Sequence, residues 1–108
     1  MIKLDEAGDG REIGLAPGEQ LEVTLAENRT TGYKWEIASG GSRACSLINE
    51  SAQPGASIPG AGGKHIWVFQ AGAGGSELIE LVYRRAWEAD TPPSRSFRIT
   101  VKVAPQPA

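Results

Sequence analysis

"QLEVTLAENRTTGYKWEI", residues 20–37, contains two runs in which apolar and polar residues alternate on either side of a polar loop. The first run places Leu21, Val23 and Leu25 on one face of an extended chain, and "YKWEI" at 33–37 repeats the pattern. A period of two residues is typical of a β-strand with one buried face. The stretch therefore predicts two strands joined by the loop between them.

Similar strand-like runs recur along the rest of the chain, and no window of comparable length carries a helical stripe. The runs are "EIGLAP" (12–17), "SLIN" (46–49, a short strand at a sheet edge), "KHIWVFQA" (64–71), "ELIELVYRRAW" (77–87) and "RSFRITVKV" (95–103). The 14 glycines and 7 prolines fall mainly between these runs, as turn residues do. Residues 53–63 are rich in glycine and small residues, and predict a long exposed loop.

Roughly six to eight short strands with Gly/Pro turns predict an antiparallel immunoglobulin-like β-sandwich with its functional loops clustered at one end. The 108 residues predict one domain, 1–108, whose last residues, 104–108, form a frayed tail. Cys45 is the single cysteine, so no internal disulfide can form. We expect Trp35 or Trp67 to fill the core instead.

Composition narrows the possible partners and location. A formal net charge of −2 offers no basic surface for nucleic acid, and no apolar run approaches the ~18 residues of a membrane span. The N-terminal "MIKLDEAGDG" lacks the apolar stretch of a secretory signal. The protein is therefore expected to be cytoplasmic, or periplasmic or secreted if a signal was removed before this numbering. No feature requires more than a monomer.

Three segments carry more than turn chemistry needs: "NRTTGY" (28–33), "GAGG" (60–63) and "RAW" (85–87). Each has a simpler explanation when taken alone. The first fits a β-turn, because asparagine and glycine tolerate positive φ. The second fits a flexible linker, and the third fits a core tryptophan at a strand end beside a solvated arginine. In a sandwich, however, loops of this kind can cluster at one end.

In their order and spacing the three segments resemble the loops of the chagasin-like family of cysteine-peptidase inhibitors. That family carries Asn-Pro-Thr-Thr-Gly-Tyr/Phe, Gly-x-Gly-Gly and Arg-Pro-Trp/Phe in its three loops. The flanking runs are also similar, among them "LEVTLAEN", "HIWVFQA", "LVYRRAWE" and "FRITVKV". The resemblance extends from about residue 12 to residue 103. Any one motif is weak, and the ordered combination of three is what makes the match specific.

The resemblance implies a reversible, non-covalent inhibitor of papain-like (cathepsin L-type) cysteine peptidases whose three loops occlude the active-site cleft. It implies no catalytic residue and no cofactor. The peptidase-binding residues that it implies are Asn28, Thr30, Thr31, Gly32, Gly60, Ala61, Gly62, Gly63, Arg85 and Trp87. We expect Tyr33 to anchor the first loop in the core instead of touching the peptidase.

Two positions depart from the family pattern. Arg29 and Ala86 stand where the family usually has proline, and proline would fix φ in each loop. We therefore expect less preorganised loops and a larger ordering cost on binding. Arg29 and Arg84 also add positive charge near the proposed contact end, which favours acidic partner surfaces.

Other functions find weaker support. A catalytic pair of Cys45 and His65 is not expected, because His65 falls in a strand and Cys45 in an irregular segment. One histidine and one cysteine are too few for a metal site. "GAGGK" lacks the first glycine and the Ser/Thr of a phosphate-binding loop, and "GAGGSE" lacks the last glycine of a dinucleotide fingerprint. An immunoglobulin-like adhesion or carbohydrate-binding module without inhibitory activity remains the alternative.

Overall fold

The computed structural model describes residues 1–27, 33–41, 43–53, 63–85 and 94–105. Eight strands and one short 3₁₀ turn account for most of these residues. The strands are β1 (Ile2–Leu4), β2 (Glu12–Leu15), β3 (Gln20–Glu27), β4 (Tyr33–Ser39), β5 (Cys45–Gln53), β6 (Gly63–Ala71), β7 (Gly75–Arg85) and β8 (Arg95–Val103), and the 3₁₀ turn is Glu6–Gly8. Within the described ranges, no helix has the length and hydropathy needed to cross a membrane.

The strands form two four-stranded sheets that pack face to face. The first sheet has the order β1-β3-β6-β5 and the second the order β2-β8-β7-β4. All pairs are antiparallel except β1 with β3 and β2 with β8, in which short N-terminal strands run parallel to their neighbours. The predicted immunoglobulin-like β-sandwich is therefore confirmed, with parallel pairing confined to β1 and β2 at the sheet edges.

Where apolar and polar residues alternate in the sequence, buried and more exposed side chains alternate in the structure. In β3, Leu21, Val23 and Leu25 are buried while the residues between them are half-buried. The tryptophans Trp35 and Trp67 both lie in the core, 2% and 0% exposed, so a disulfide is not needed to fill it. Burial of such large apolar side chains is the main favourable term in folding.

Two strands differ most from the sequence-based expectation. Strand β5 was predicted as a short edge strand at 46–49; it is an edge strand, but it runs over Cys45–Gln53. Its burial pattern is almost entirely exposed, so hydrophobic alternation did not reveal its length. Strand β1, Ile2–Leu4, was not predicted; it pairs in parallel with β3, with Ile2 aligned with Leu21.

Gly40, just after β4, leaves less room for a side chain than any other described glycine. Its φ is +97°, and a Cβ atom there would lie 2.7 Å from the carbonyl oxygen of Leu78. Gly18 has a similar φ of +81°, but a Cβ there would meet no heavy atom within 4 Å. Substitutions at the two glycines therefore distinguish the cost of a positive φ from the cost of a steric clash.

Gly40→Ala is expected to destabilise the fold clearly more than Gly18→Ala. Positive φ costs a non-glycine residue about 1–2 kcal/mol at either position, and the clash with β7 adds to this only at Gly40. Urea unfolding followed by tryptophan fluorescence measures both free energies of unfolding. Equal losses in the two variants would contradict the close packing of this turn against β7.

Candidate functional site

The described ends of three chain segments meet at one end of the sandwich. Segment 28–32 begins after Glu27 and ends before Tyr33, segment 54–62 ends before Gly63, and segment 86–93 begins after Arg85. Glu27 pairs with Gly63 across β3 and β6, and Tyr33 pairs with Arg85 across β4 and β7. We call this end, defined by Glu27, Tyr33, Gly63 and Arg85, the root end.

Glu27 joins the two sheets at the root end. Its Oε2 accepts a hydrogen bond from the backbone N–H of Trp35 at 2.7 Å, and the indole Nε1 of Trp35 donates to the carbonyl of Ala26 at 2.9 Å. Glu27 lies on β3 in one sheet and Trp35 on β4 in the other. Glu27 is only 4% exposed, and a buried carboxylate needs such partners. These bonds fix the spacing of the two strands that segment 28–32 connects.

A carboxylate–histidine cluster, formed by Glu27, His65 and Glu50, extends this link to β5. The Nδ1 atom of His65 lies 2.9 Å from Oε2 of Glu27, and its Nε2 atom lies 2.7 Å from Oε2 of Glu50. The imidazole stacks on the indole of Trp67, with centroids 4.1 Å apart and planes 5° apart. His65 is 3% exposed, whereas the Glu50 side chain is 43% exposed. The cluster therefore runs from the core to the surface of the edge strand.

An aromatic stack supports the other half of the root end. The Tyr33 ring stacks on Tyr83 with centroids 5.2 Å apart, and Tyr83 packs against Trp35 at 5.0 Å. The guanidinium carbon of Arg85 lies 4.7 Å from the centroid of the Tyr33 ring, within reach of a cation–π interaction. Tyr33 thus connects the end of segment 28–32 to the core through Tyr83, which packs against the core residues.

The positive charge near the root end is partly compensated within the molecule. The Nε atom of Arg84 lies 3.4 Å from Oε1 of Glu36 on the neighbouring strand. The pair is partly exposed, so it adds little to stability. It does lower the net positive charge that Arg84 was expected to present to a partner.

Most of the predicted peptidase-binding residues lie outside the described residues: Asn28, Thr30, Thr31, Gly32, Gly60, Ala61, Gly62 and Trp87. The structure describes Gly63 and Arg85, and it brings both to the root end. Gly63 is the first residue of β6, and Arg85 is the last residue of β7. The contact of Arg85 with Tyr33 gives it a bracing role within the protein, and its contact with a peptidase stays a prediction.

The expected lack of a catalytic pair rests on a different reason from the one that the sequence suggested. The prediction that Cys45 lies in irregular structure is wrong, because it begins β5. Cys45 pairs with Ala71, whereas His65 pairs with Ala52 at the other end of the same two strands. At about 3.3 Å per residue, this register separates Cys45 from His65 by about 20 Å. The pair is therefore too far apart for proton transfer.

The environment of Cys45 also opposes reactivity. Burial raises the pKa of the Cys45 thiol from 9.0 to about 12, and the neighbouring Glu77 carboxylate adds to the shift. The Sγ atom lies 3.7 Å from Oε1 of Glu77, and that oxygen also accepts the backbone N–H of Cys45. A protonated thiol is a poor nucleophile. Within the described ranges, no group of three or more His, Cys, Asp or Glu is placed to hold a metal ion.

The carboxylate–histidine cluster was not predicted from the sequence. Its signal is visible in the alternation, because Glu27 falls on the same strand face as Leu25, at a position where an apolar residue is expected. His65 likewise shares a face with Trp67. Polar residues on two inward faces suggest a buried pair, but Glu50 lies on an exposed edge strand and gives no such signal.

The fold and the root end first define a class: an immunoglobulin-like β-sandwich in which three segments leave from one end. The sequence then narrows this class to a family. Residues 15–101 match the family described as "Chagasin family peptidase inhibitor I42". The chain therefore belongs to the chagasin family of peptidase inhibitors, a family of inhibitors and not of enzymes.

Similar proteins align with almost the whole chain. Amoebiasin-1 of Entamoeba histolytica is 36% identical over 105 residues, which cover 94% of this chain and 99% of that protein. The crystal structure of the cysteine protease inhibitor EhICP2 from Entamoeba histolytica has a TM-score of 0.84 at 23% identity, covering 95% of each chain. PbICP-C, solved in complex with falcipain-2, has a TM-score of 0.69 at 17% identity, covering 98% of this chain and 100% of that one. At these identities the two solved structures show a shared fold.

The Cys45 environment predicts an inert thiol in the folded protein. Iodoacetamide at pH 8 is expected to leave Cys45 unmodified over hours, and to alkylate it fully once urea unfolds the chain. Above the ordinary thiol pKa of 9.0, the folded state keeps a proton that the unfolded state loses. Stability should therefore fall as pH rises from about 9 towards 12, and fall less in Cys45→Ala.

Mass spectrometry measures the alkylation, and urea unfolding at pH 8 and above pH 9 measures the stability. The Cys45→Ala variant removes the thiol while leaving every other titrating group in place, so it isolates the contribution of Cys45. Rapid alkylation of the folded protein, or the same loss of stability with pH in both proteins, would contradict a buried, protonated thiol.

Proposed function

We propose that this protein is a reversible, non-covalent inhibitor of papain-like, cathepsin L-type cysteine peptidases. Three loops, formed by residues 28–33, 60–63 and 85–87, enter the active-site cleft together and block access of substrate. The single observation that supports this best is the register of the root end. Glu27 aligns with Gly63, and Tyr33 aligns with Arg85, so the three loops leave from one end of the sandwich.

The rigidity of the root end also supports the proposal. A protein that inhibits by shape must hold its contact loops in place before binding, because ordering them later lowers the affinity. The Glu27–Trp35 bond fixes both sides of the first loop, and the stack of Tyr33 on Tyr83 anchors its far side. The loops therefore start from fixed positions, even though Arg29 and Ala86 replace the prolines of the family pattern.

The loop residues suit a narrow cleft. Glycines at 60–63 have no Cβ, so their backbone can approach the backbone of the peptidase closely and form main-chain hydrogen bonds in the groove. In the first loop, Thr30 and Thr31 place small side chains near the catalytic cysteine and histidine of the peptidase, with Thr31 in direct contact. Gly32 permits the bend, and Asn28 holds the shape of the loop. No bond is made or broken.

The third loop supplies the aromatic anchor. Trp87 packs on the far side of the cleft, and tryptophan and arginine are the residue types that dominate interface energies. Arg85 contacts the ring of Tyr33, and in this proposal its guanidinium also pairs with a carboxylate of the peptidase. The resulting interface would bury roughly 1,600 Å², the usual size for a protease–inhibitor complex.

The comparisons favour the same target class. A fold neighbour, EhICP2, is a cysteine protease inhibitor, and another, PbICP-C, has been solved in complex with falcipain-2. The alternative, a carbohydrate-binding module, requires aromatic rings exposed on a flat strand face. Among the described residues, Trp35, Trp67, Phe69 and Phe97 are buried and both tyrosines are half-buried. The described strand faces therefore offer no such platform.

Titration of the protein against papain and a cathepsin L-type enzyme is expected to give tight, reversible inhibition, measured by hydrolysis of a fluorogenic peptide. A serine peptidase should be unaffected. Trp87→Ala should cost about 2 kcal/mol or more, roughly a thirtyfold rise in Ki, because it removes an interface anchor. Thr31→Ala should cost about 1 kcal/mol, roughly fivefold, because it loses one polar contact.

Thr100→Ala is the matched control, since Thr100 lies within β8 and away from the root end. It should leave Ki unchanged. A small active-site inhibitor of the peptidase should compete with the protein. Inhibition that survives both loop substitutions would contradict the proposed contacts. The absence of inhibition at micromolar protein would contradict the function itself and favour an adhesion module.

A further inference from the structure

We propose that Glu6 is a positioning residue for the first inhibitory loop, residues 28–33. Its side chain holds the backbone of Ala26, two residues before that loop begins, and so limits the movement of the strand end from which the loop leaves. Glu6 does not need to touch the peptidase for this effect. The inference rests on the proposed function for its consequence, whereas the effect on the strand end can be measured without a peptidase.

The contact lies on an edge of β3 that β1 covers only in part. Strand β1 pairs with β3 from Leu21 to Val23, which is short of the end of β3. Beyond Val23, Oε1 of Glu6 accepts the backbone N–H of Ala26 at 2.7 Å. The opposite edge of β3 pairs with β6. The side chain of Glu6 therefore supplies the acceptor that a backbone carbonyl would supply if β1 were longer.

Ala26 is held at its carbonyl as well as at its N–H. The carbonyl oxygen accepts the indole N–H of Trp35 at 2.9 Å. Trp35 lies on β4, which follows the first loop, and its backbone N–H is bound by Glu27. Glu6 therefore adds a third bond to the two that join the entry and the exit of the loop. Without it, the N–H of Ala26 is left to water and the strand end can move, which raises the ordering cost of binding.

The position of Glu6 is fixed because the segment that carries it is anchored to both sheets. We call residues 5–11, which run from β1 in one sheet to β2 in the other, the N-terminal strap. Near its start, Oδ1 of Asp5 accepts a backbone N–H of the 3₁₀ turn at 2.9 Å. Near its end, the N–H of Gly10 donates to the carbonyl of Arg98 on β8 at 2.6 Å. The strap therefore ties the end of β3 to the second sheet through Glu6.

This contact matters in the present chain because the first loop lacks a proline. Arg29 stands where the family pattern has proline, so no ring fixes φ at that position. A loop with more conformational freedom depends more on the strand ends that hold it. Glu6 lies outside residues 15–101, which match the family, so the proposal adds a contact that the family match does not include.

The first test needs no peptidase. Hydrogen exchange followed by NMR of the free protein reports the backbone N–H of Ala26 and the indole N–H of Trp35 separately. In Glu6→Ala the Ala26 amide should exchange about tenfold faster or more, because it loses its acceptor. The indole N–H of Trp35 should exchange about threefold faster, because the carbonyl that it binds belongs to the same strand end. An unchanged exchange rate at Trp35 would overturn the positioning role.

The second test measures inhibition. Ki of Glu6→Ala against papain should rise about fivefold, because one hydrogen bond that orders the first loop before binding is lost. Glu6→Gln keeps a side-chain oxygen that can accept the N–H of Ala26, so its Ki should stay within about twofold of the wild-type value. A Ki for Glu6→Gln as high as that of Glu6→Ala would overturn the proposal, and so would a wild-type Ki for Glu6→Ala.

Glu19→Ala is the matched control. Oε1 of Glu19 also accepts a backbone N–H, that of Ala16, at 3.0 Å, and this bond is exposed like that of Glu6. Glu19 directly precedes β3, at the end of the strand opposite to the first loop. Its substitution should leave both Ki and the exchange rate at Trp35 unchanged, and an equal loss of inhibition would overturn the proposal. A wild type that inhibits no peptidase would contradict the proposed function instead, and the exchange rates would still decide the role of Glu6.

Discussion

The root end depends on one interaction, the hydrogen bond that the buried carboxylate of Glu27 accepts. Glu27 lies at the end of β3 in one sheet and accepts the backbone N–H of Trp35 in the other at 2.7 Å. Hydrophobic packing holds the two sheets face to face, but it is non-directional and does not fix how their ends align. A hydrogen bond that a buried carboxylate accepts is directional and costly to break. It therefore sets the alignment of the strands from which the loops leave.

Different residues are responsible for folding and for the proposed binding. The core is made of apolar side chains on the inward faces of both sheets, and it contains Trp35 and Trp67. The proposed contacts lie in loops beyond the strand ends, as is common where a rigid scaffold carries variable loops. The carboxylate–histidine cluster connects the two parts, because its members Glu27 and His65 are buried like the core and lie next to the loops.

The sequence predicts much of this fold because alternating burial leaves a direct pattern of period two. Strand β8 was predicted with its observed bounds, and β6 to within one residue. A strand without a buried face leaves no such pattern, which is why β5 was predicted to be much shorter than it is. It also cannot show which residues on different strands meet. The cluster of Glu27, His65 and Glu50 depends on strand register, and the register follows from the whole sandwich.

The central claim is that the root end is the surface that meets a peptidase. Backbone amide NMR of the labelled protein, with and without one equivalent of papain carrying an alanine at its catalytic cysteine, tests this directly. We predict that signals of Glu27, Tyr33, Gly63 and Arg85 shift or broaden beyond the uniform effect of complex size, while those at the opposite end, such as Cys45, do not. Specific changes at the opposite end, or no binding at all, would contradict the account.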